Sequence, residues 1–259
     1  MNRKDLARLK TWFDEYVSGY TTDDAEYNYP FRLKKNHTRR VCKNIIMIGH
    51  ALNLSDDELI LAETMALFHD MGRFEQYAKY GTFSDIASEN HAKLSLRQMA
   101  THGVLSKNTK DEKRLITKAI AYHNVAALPD TKDKTELFYM RLLRDADKLD
   151  IWKVVIDYYH QRDHFKNSAI ELNLPDDPIW SGRVLEAVMN QKIARMEDLK
   201  TLNDFKLLQI SWVFDLNFAP SFEAVENRHY LYQIEATLPK SPEISDAVAM
   251  AHRYVKNNL

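Results

Sequence analysis

An adjacent His-Asp pair, His69-Asp70, follows an apolar run and stands two residues before Gly72. A carboxylate that loses its water is tolerated only when it is paired, hydrogen-bonded or bound to a metal ion. Neighbouring side chains on a helix point about 100° apart, so both can bind one ion only at a helix end or kink. We predict that Gly72 supplies this end, because Gly often follows a helix C-terminus. The structural alternative is a buried His bonded to a carbonyl group, with Asp70 as a cap.

Four further residues of metal-ligand type stand elsewhere in the chain: His37, His91, His123 and Asp147. With His69 and Asp70 they form a set of four imidazoles and two carboxylates that contains no thiolate. Such a set suits Fe, Mn, Zn, Ni or Mg and not a structural cysteine-zinc site. Any one of these histidines, taken singly, is more often a hydrogen-bonded core residue than a ligand. Helical bundles do hold such ligands on side chains that project inward from several helices.

The helices that would position these residues are indicated by caps and by apolar periodicity. Asn36 is a suitable N-cap, which predicts that His37 lies in the first turn of its helix. Separately, Pro30 predicts that the residue before it, Tyr29, is not helical. The capping box at Ser55 to Glu58 starts the helix that ends at the His-Asp pair. The segment from 74 to 85 reads as irregular, either a pocket wall or a plain surface loop.

The remainder of the chain also reads as helical. The predicted helices begin near residue 5, near residue 88 and at residue 111, then cover residues 135–164, 179–196, 202–216, 221–238 and 244–257. There is no convincing alternating pattern of a strand, and 6 Gly and 7 Pro leave few tight turns for an all-β fold. We therefore predict an all-α protein.

Composition narrows the function classes. The formal net charge is −1, so the overall charge gives no indication that the protein binds DNA or RNA. The sole cysteine, Cys42, fits a reducing compartment, and no apolar stretch indicates a signal peptide or a membrane span. We therefore expect a cytoplasmic protein that does not bind membranes.

The order His37, His69-Asp70 and Asp147 resembles the HD-domain superfamily, in the sequence contexts HDMGR and DADKLD. The resemblance covers roughly residues 30 to 165. It implies a compact multi-helix HD-domain bundle around a metal, with additional helices after it. The expected organisation is an N-terminal helix and link at 1–29, a metal-binding core at 30–165, and C-terminal helices packed on the core at 166–259.

The same resemblance implies which residues bind metal. In one subset of the superfamily two more histidines join the motif and two metals bind, and His91 and His123 stand at those places. One ion would then be held by His37, His69 and Asp147, the other by His91 and His123, and Asp70 would bridge them. The implied cofactor is one or two divalent ions, of Fe, Mn, Ni, Zn or Mg.

The activity that the resemblance implies is hydrolysis of a small phosphorylated molecule, a phosphomonoester or phosphodiester that includes nucleotides, by a metal-activated water. Asp70 would accept the proton of that water if one metal binds. Lys148 and Arg73 would contact the phosphoryl oxygens, and for Arg40 we favour plain surface charge instead. Asn124 and Asp150 would orient the ligands.

Two other functions stay open at this point. Di-iron oxygenases of the same superfamily use the same six ligands, so the ligand set does not separate oxidation from hydrolysis. A non-catalytic nucleotide sensor is the third function, and buried charged ligands argue against it. The chain has no GYP-type loop of the cyclic-dinucleotide phosphodiesterases. The C-terminal helices could cover the site or pair protomers into a homo-oligomer.

Overall fold

Helices supply the regular secondary structure in the computed structural model, which describes residues 1–163, 166 and 168–259. No strand occurs among these residues, so the predicted all-α class is confirmed. The chain folds into two compact units, Met1–Asp150 and Ile151–Leu259. The predicted boundary at 165 and the predicted helix end at His164 lie outside the described residues, and the division at 165 stays a prediction.

The first unit contains six helices and the start of a seventh. They are α1 (Arg3–Ser18), α2 (Tyr29–Ala51), α3 (Asp56–Phe68), α4 (Gly72–Tyr80), α5 (His91–Thr101), α6 (Lys110–Ala121) and α7 (Lys134–Gln161). Helix α3 begins at the predicted capping box, in which Ser55 and Glu58 bond each other's backbone N–H groups. An equivalent box at Thr109 and Glu112 begins α6.

Helix α3 forms the centre of the first unit. It packs against α1, α2 and α6, and every residue from Leu59 to Phe68 except Glu63 is buried. Met65 and Phe68 are fully buried, as are Ile45 and Ile48 on α2. Burial of each such side chain contributes about 1.5–3 kcal/mol, so the helices that carry the His-Asp pair rest on a rigid apolar core.

Helix α2 begins earlier than the sequence suggested. It starts at Tyr29 with Pro30 in its first turn, so Asn36 and His37 lie well inside it and the predicted start at Asn36 is wrong. The first turn tolerates Pro, because N–H groups there have no partner within the helix. The side chain of Phe31 is buried, which anchors this added segment.

The segment predicted to be irregular contains helix α4. Phe74 and Gln76 of this helix are buried, which a polar and aromatic sequence did not reveal. The helix ends at Gly81, whose φ of 65° is left-handed and therefore favours Gly. Residues 82–90 follow as a loop that leads into α5.

The helices of the second unit are shorter than predicted in the segments 179–196, 202–216 and 221–238, whereas the last helix covers the whole predicted range 244–257. They are α8 (Ser168–Glu171), α9 (Gly182–Met189), α10 (Leu202–Ser211), α11 (Ala219–Asn227), α12 (Tyr230–Glu235) and α13 (Pro242–Asn257), with 3₁₀ turns at Met196–Asp198 and Trp212–Asp215. Every residue of α10 is buried. The predicted helix over 221–238 is wrong, because His229 adopts a left-handed φ of 55° between α11 and α12. None of the helices in the described ranges has the length and apolar content to cross a membrane.

Candidate metal centre

The His-Asp pair lies in the sharp turn between α3 and α4. Helix α3 ends at Phe68, and α4 begins at Gly72. Both His69 and Asp70 are buried. The hydroxyl of Ser95 on α5 holds the turn, since it donates to the carbonyl of His69 at 2.8 Å and accepts from the N–H of Gly72 at 2.8 Å. The turn therefore presents both side chains from a fixed backbone.

Gly72 is needed for a close approach of two helices. A Cβ atom there would lie 2.5 Å from the backbone nitrogen of Ser95 and 2.6 Å from the carbonyl oxygen of His91. Gly72 does not serve as the left-handed C-cap that we predicted, because α4 begins with it. Its missing side chain instead lets α4 pack directly against α5, which brings His91 to the His-Asp pair.

The six residues predicted as ligands meet in one buried cluster. His37 comes from α2, His69 and Asp70 from the turn, His91 from the start of α5, His123 from just after α6, and Asp147 from α7. Three overlapping groups have ligand atoms that all lie within 4.8 Å of one another: His37, His69 and Asp70; His69, His123 and Asp147; Asp70, His91 and His123. The buried cluster can therefore hold a metal ion.

The two carboxylate oxygens of Asp70 face different pairs of histidines. Its Oδ2 atom lies 3.5 Å from Nε2 of His37 and 3.8 Å from Nε2 of His69. Its Oδ1 atom lies 3.4 Å from Nε2 of His91 and 3.8 Å from Nε2 of His123. Such a carboxylate can bridge two positions, with one oxygen for each.

Asp147 belongs to the first of these positions. Its Oδ1 atom lies 3.1 Å from Nε2 of His37 and 3.5 Å from Nε2 of His69. Burial raises the pKa of Asp147, but the rings of His37 and His69 outweigh it and hold that pKa well below the usual range. The carboxylate is therefore ionised, as a metal ligand must be.

Each of the four imidazoles forms a hydrogen bond from its Nδ1 atom to an acceptor outside the cluster. Nδ1 of His69 donates to the carbonyl of Ala66, and Nδ1 of His123 donates to the carbonyl of Ile120, each at 2.7 Å. In His37 it donates to Asp150 and in His91 to Asp85, also at 2.7 Å. Because these acceptors have no proton to give, Nδ1 is the protonated nitrogen and Nε2 faces the cluster.

The pair His91 and His123 shows that this arrangement fits a cation. Their Nε2 atoms are 3.0 Å apart in a buried site. Burial, followed by the charge of Arg73, lowers the pKa of His91, and burial with the neighbouring His91 and His69 lowers that of His123 to about 3. Both rings are therefore neutral, and two lone pairs face each other. A cation between them would turn this repulsion into attraction.

The first position attracts positive charge even without a metal. Burial lowers the pKa of His37, but its hydrogen bonds with Asp147 and Asp150 outweigh this effect and raise the pKa to about 9. The imidazolium thus carries a proton that a metal ion would have to displace.

Lys34 is a site residue that the sequence reasoning missed. Its Nζ atom lies 2.8 Å from Oδ2 of Asp70 and 5.3 Å from the ring centre of Phe83. Burial raises the pKa of Asp70, but Lys34, His69 and Arg73 outweigh it and hold that pKa well below its usual range. The missed signal was the start of α2, since Lys34 stands one helical turn before His37.

The three basic residues considered for phosphate binding have different surroundings. Arg73 donates from one guanidinium nitrogen to Asp85 at 2.9 Å and to Gln76 at 2.8 Å. Arg40 pairs with the buried carboxylate of Asp150 and is not the free surface charge that we favoured. Lys148 is buried beside Asp147 on α7. Arg40 thus supports the carboxylate that orients His37.

The two residues predicted to orient ligands lie next to the cluster. Asp150 accepts the Nδ1 proton of His37, and Asn124 donates to Asp85 at 3.3 Å. Asp85 itself, in the loop before α5, was missed. No feature of the sequence separates this loop carboxylate from the exposed acidic residues around it.

The comparisons with known proteins agree with this geometry. Residues 35–152 match the family model of the HD domain, and this segment contains all six residues of the cluster. Neither the curated proteins nor the solved structures gave a significant match. The chain therefore contains an HD domain, which lies at residues 35–152.

Proposed function

We propose that the protein is a metal-dependent phosphohydrolase that acts on a small phosphorylated molecule, a phosphomonoester or phosphodiester such as a nucleotide. The observation that supports it best is the division of the Asp70 oxygens between two pairs of imidazoles. We assign His37, His69 and Asp147 to one ion, and His91 and His123 to the other. Asp70 would be shared.

The metal and the chain would have separate tasks. A divalent ion lowers the pKa of a water molecule that it binds toward neutrality, which supplies a nucleophile for a phosphate ester. Asp70 is held ionised by the positive charges around it, so it suits a shared ligand better than a proton acceptor. The four Nδ1 hydrogen bonds fix the rings before any ion arrives, which avoids reorganisation on binding.

Lys34 is the cation that we propose for the phosphoryl group of the substrate. Its Nζ atom contacts Asp70 at 2.8 Å, while its side chain keeps 19% of its surface exposed. A partly exposed ammonium next to the cluster can contact a phosphoryl oxygen from the solvent side. Arg73 and Lys148 stay proposed as further phosphate contacts, although Arg73 already donates to Asp85 and Gln76.

Hydrolysis and oxidation can be separated with one panel of substrates. Purified protein loaded with Mn²⁺ under argon is incubated with nucleotides, phosphomonoesters and phosphodiesters, and phosphate or phosphomonoester release is measured. The proposal expects release without oxygen. Oxygen consumption by the iron-loaded protein, with no ester hydrolysed under argon, would contradict it and favour the oxygenase function.

A double variant tests whether the cluster carries the activity. His69→Ala with Asp70→Ala removes the carboxylate that both positions would share and one imidazole of the first position, so metal content and hydrolysis should both be lost. His50→Ala, which removes an exposed histidine near the end of α2, is the control and should retain both. Full hydrolysis by a metal-free double variant would exclude the proposed mechanism.

A further inference from the structure

Asp85, in the loop that joins α4 to α5, is the shared acceptor of four side chains. Its Oδ1 atom accepts from Arg73 at 2.9 Å and from Gln76 at 3.0 Å. Its Oδ2 atom accepts from Nδ1 of His91 at 2.7 Å and from Asn124 at 3.3 Å. The donors come from α4, from the start of α5 and from the segment after α6.

This network leaves Asp85 no free oxygen for a metal. An ionised carboxylate offers about four lone-pair directions, and four donors fill them here. Asp85 is therefore not a seventh ligand. Gln76 also donates to the carbonyl of Glu89 at 2.8 Å, and Arg73 donates to the carbonyl of Phe83, so the loop that carries Asp85 is fastened to α4 on both sides of this residue.

The two histidines of the second position differ in what orients them. His123 donates its Nδ1 proton to the carbonyl of Ile120, three residues earlier in the chain, and needs no other side chain. His91 is the first residue of α5 and donates its Nδ1 proton to Asp85. Without this carboxylate, Nδ1 of His91 would be left with Asn124, whose Nδ2 atom lies 3.4 Å away and is itself a donor. Of the described contacts, only Arg73, 3.5 Å from Nε2, would then still favour the proton on Nδ1.

We propose that Asp85 is a positioning residue that fixes the tautomer and orientation of His91, so that the metal position between His91, His123 and Asp70 depends on this loop. The position between His37, His69 and Asp147 does not depend on it, because Asp150 orients His37 and a carbonyl orients His69. The inference rests on the proposed function, since it concerns the same metals.

The first test uses the metal-free full chain and does not require any activity. Two-bond ¹H–¹⁵N spectra of the histidine rings report which nitrogen carries the proton. Wild type should show His91 protonated on Nδ1, and Asp85→Asn should show a mixture of tautomers or the Nε2 form. Glu89 lies in the same loop, and its carboxylate accepts from Arg97 at the surface. Glu89→Gln should therefore leave the tautomer of His91 unchanged. An unaltered Nδ1 tautomer in Asp85→Asn would overturn the proposal.

The second test measures Mn²⁺ binding by calorimetry and by the electron spin resonance of the bound ions. Wild type and Glu89→Gln should bind two ions that give a spin-coupled signal. Asp85→Asn should bind one ion with wild-type affinity and the other about 10–100-fold more weakly, with the six-line signal of isolated Mn²⁺. Two tight ions in Asp85→Asn, or equal weakening of both, would overturn the selective role of Asp85.

The two tests also separate this inference from the proposed function. If wild type binds no Mn²⁺, the proposed function fails. If the His91 tautomer still depends on Asp85 in that case, the role of Asp85 in orienting His91 stands, but its effect on a metal position does not. If wild type binds two ions and Asp85→Asn does so equally well, the function stands and the inference fails. Asp85→Asn keeps the volume of the side chain, which favours folding of the variant.

Discussion

Single residues in the cluster differ in how firmly they are held. His69 and His123 bond a carbonyl three residues earlier, so their orientation comes from their own backbone. His37 and His91 instead rely on carboxylates, which Asp150 and Asp85 provide. Substitution of these two carboxylates should therefore weaken one metal position each, whereas the other two rings need no comparable partner.

Substitution of Lys34 tests the phosphate contact. Lys34→Met keeps an unbranched side chain but removes the ammonium group that lies 2.8 Å from Asp70. A hydrogen bond to a charged group contributes about 1.5–3 kcal/mol, so kcat/KM for the ester substrate should fall roughly 10–100-fold. The measurement is steady-state kinetics on the best substrate of the panel, together with the metal content of each variant.

The neighbouring Lys35 provides the matched control. It forms an ion pair with Asp14 at 2.8 Å, away from the cluster, so Lys35→Met should leave kcat/KM unchanged. The metal content of Lys34→Met should equal that of wild type. Unchanged kcat/KM in Lys34→Met would show that this ammonium does not bind the substrate.

The resemblance to the HD-domain superfamily predicted the six residues that the structure brings together, whereas the type of any single His or Asp did not separate a metal ligand from a hydrogen-bonded core residue. Lys34 was missed for a local reason, since the assumed start of α2 at Asn36 left it outside the helix. Asp85 was missed for a physical reason: its role depends on how a loop folds over α4, and a loop carboxylate has no distinguishing sequence pattern.

Helix ends decide the geometry at the scale of elements. The turn between α3 and α4 holds His69 and Asp70, and Gly72 lets α5 approach that turn. The capping boxes predicted the start of α3 well, because a side chain there bonds backbone three residues away. The start of α2 and the helical character of α4 depended on burial of Phe31 and Phe74 in the tertiary fold, which local sequence does not reveal.

Gly72→Ala should destabilise the protein. The new methyl group would meet backbone atoms of α5 at 2.5–2.6 Å, and overpacking of this kind costs about 1–3 kcal/mol. It should also lower Mn²⁺ affinity, because it pushes His91 away from Asp70. Denaturant unfolding gives the free energy of unfolding, and calorimetry gives the affinity.

Gly182→Ala is the matched control for this prediction. A Cβ atom at Gly182, in the first turn of α9, meets no other atom within 4 Å, so the substitution should keep or slightly raise the stability. If both variants were equally stable, the close approach at Gly72 would not constrain the two helices.

An ion-pair network links α8 to the end of α7 and predicts a pH dependence. Glu171 accepts from the hydroxyl of Tyr158 at 2.6 Å and from Arg162. Burial raises the pKa of Glu171, but Arg162 and Tyr158 outweigh it and lower that pKa below its usual 4.5. A lowered carboxyl pKa contributes stability that is present above about pH 4.5 and is lost as the pH falls through the folded-state pKa.

Glu171→Gln should therefore reduce the free energy of unfolding at pH 7 by about 1–3 kcal/mol, and this difference should shrink as the pH falls below 4. Denaturant unfolding at both pH values is the measurement. Glu197→Gln removes an exposed partner of Arg195 and should have little effect at either pH. A difference for Glu171→Gln that persists unchanged in acid would contradict the ionic role of Glu171.

At the scale of the whole molecule, the metal site should also stabilise the fold. All six residues of the cluster belong to the unit Met1–Asp150. An ion that binds the folded state and not the unfolded chain adds about 2.7 kcal/mol at a hundredfold excess over its Kd. Chelation should therefore lower the Tm of the Mn²⁺-loaded protein by about 5–10 °C.

The double variant His69→Ala with Asp70→Ala supplies the control for this effect. Its Tm should not respond to the chelator, because it lacks the carboxylate that both positions would share and one imidazole of the first position. A Tm of wild-type protein that is the same with and without chelator would mean that no ion is bound to the folded state at a useful affinity.

The metal content of the wild-type chain tests the central claim most directly. Protein is reconstituted with Mn²⁺, dialysed free of excess ion and analysed by inductively coupled plasma mass spectrometry. The double variant His69→Ala with Asp70→Ala is treated in parallel. The account predicts two ions per wild-type chain and none in the variant. A wild-type chain without stoichiometric metal, or a variant with as much metal as wild type, would contradict it.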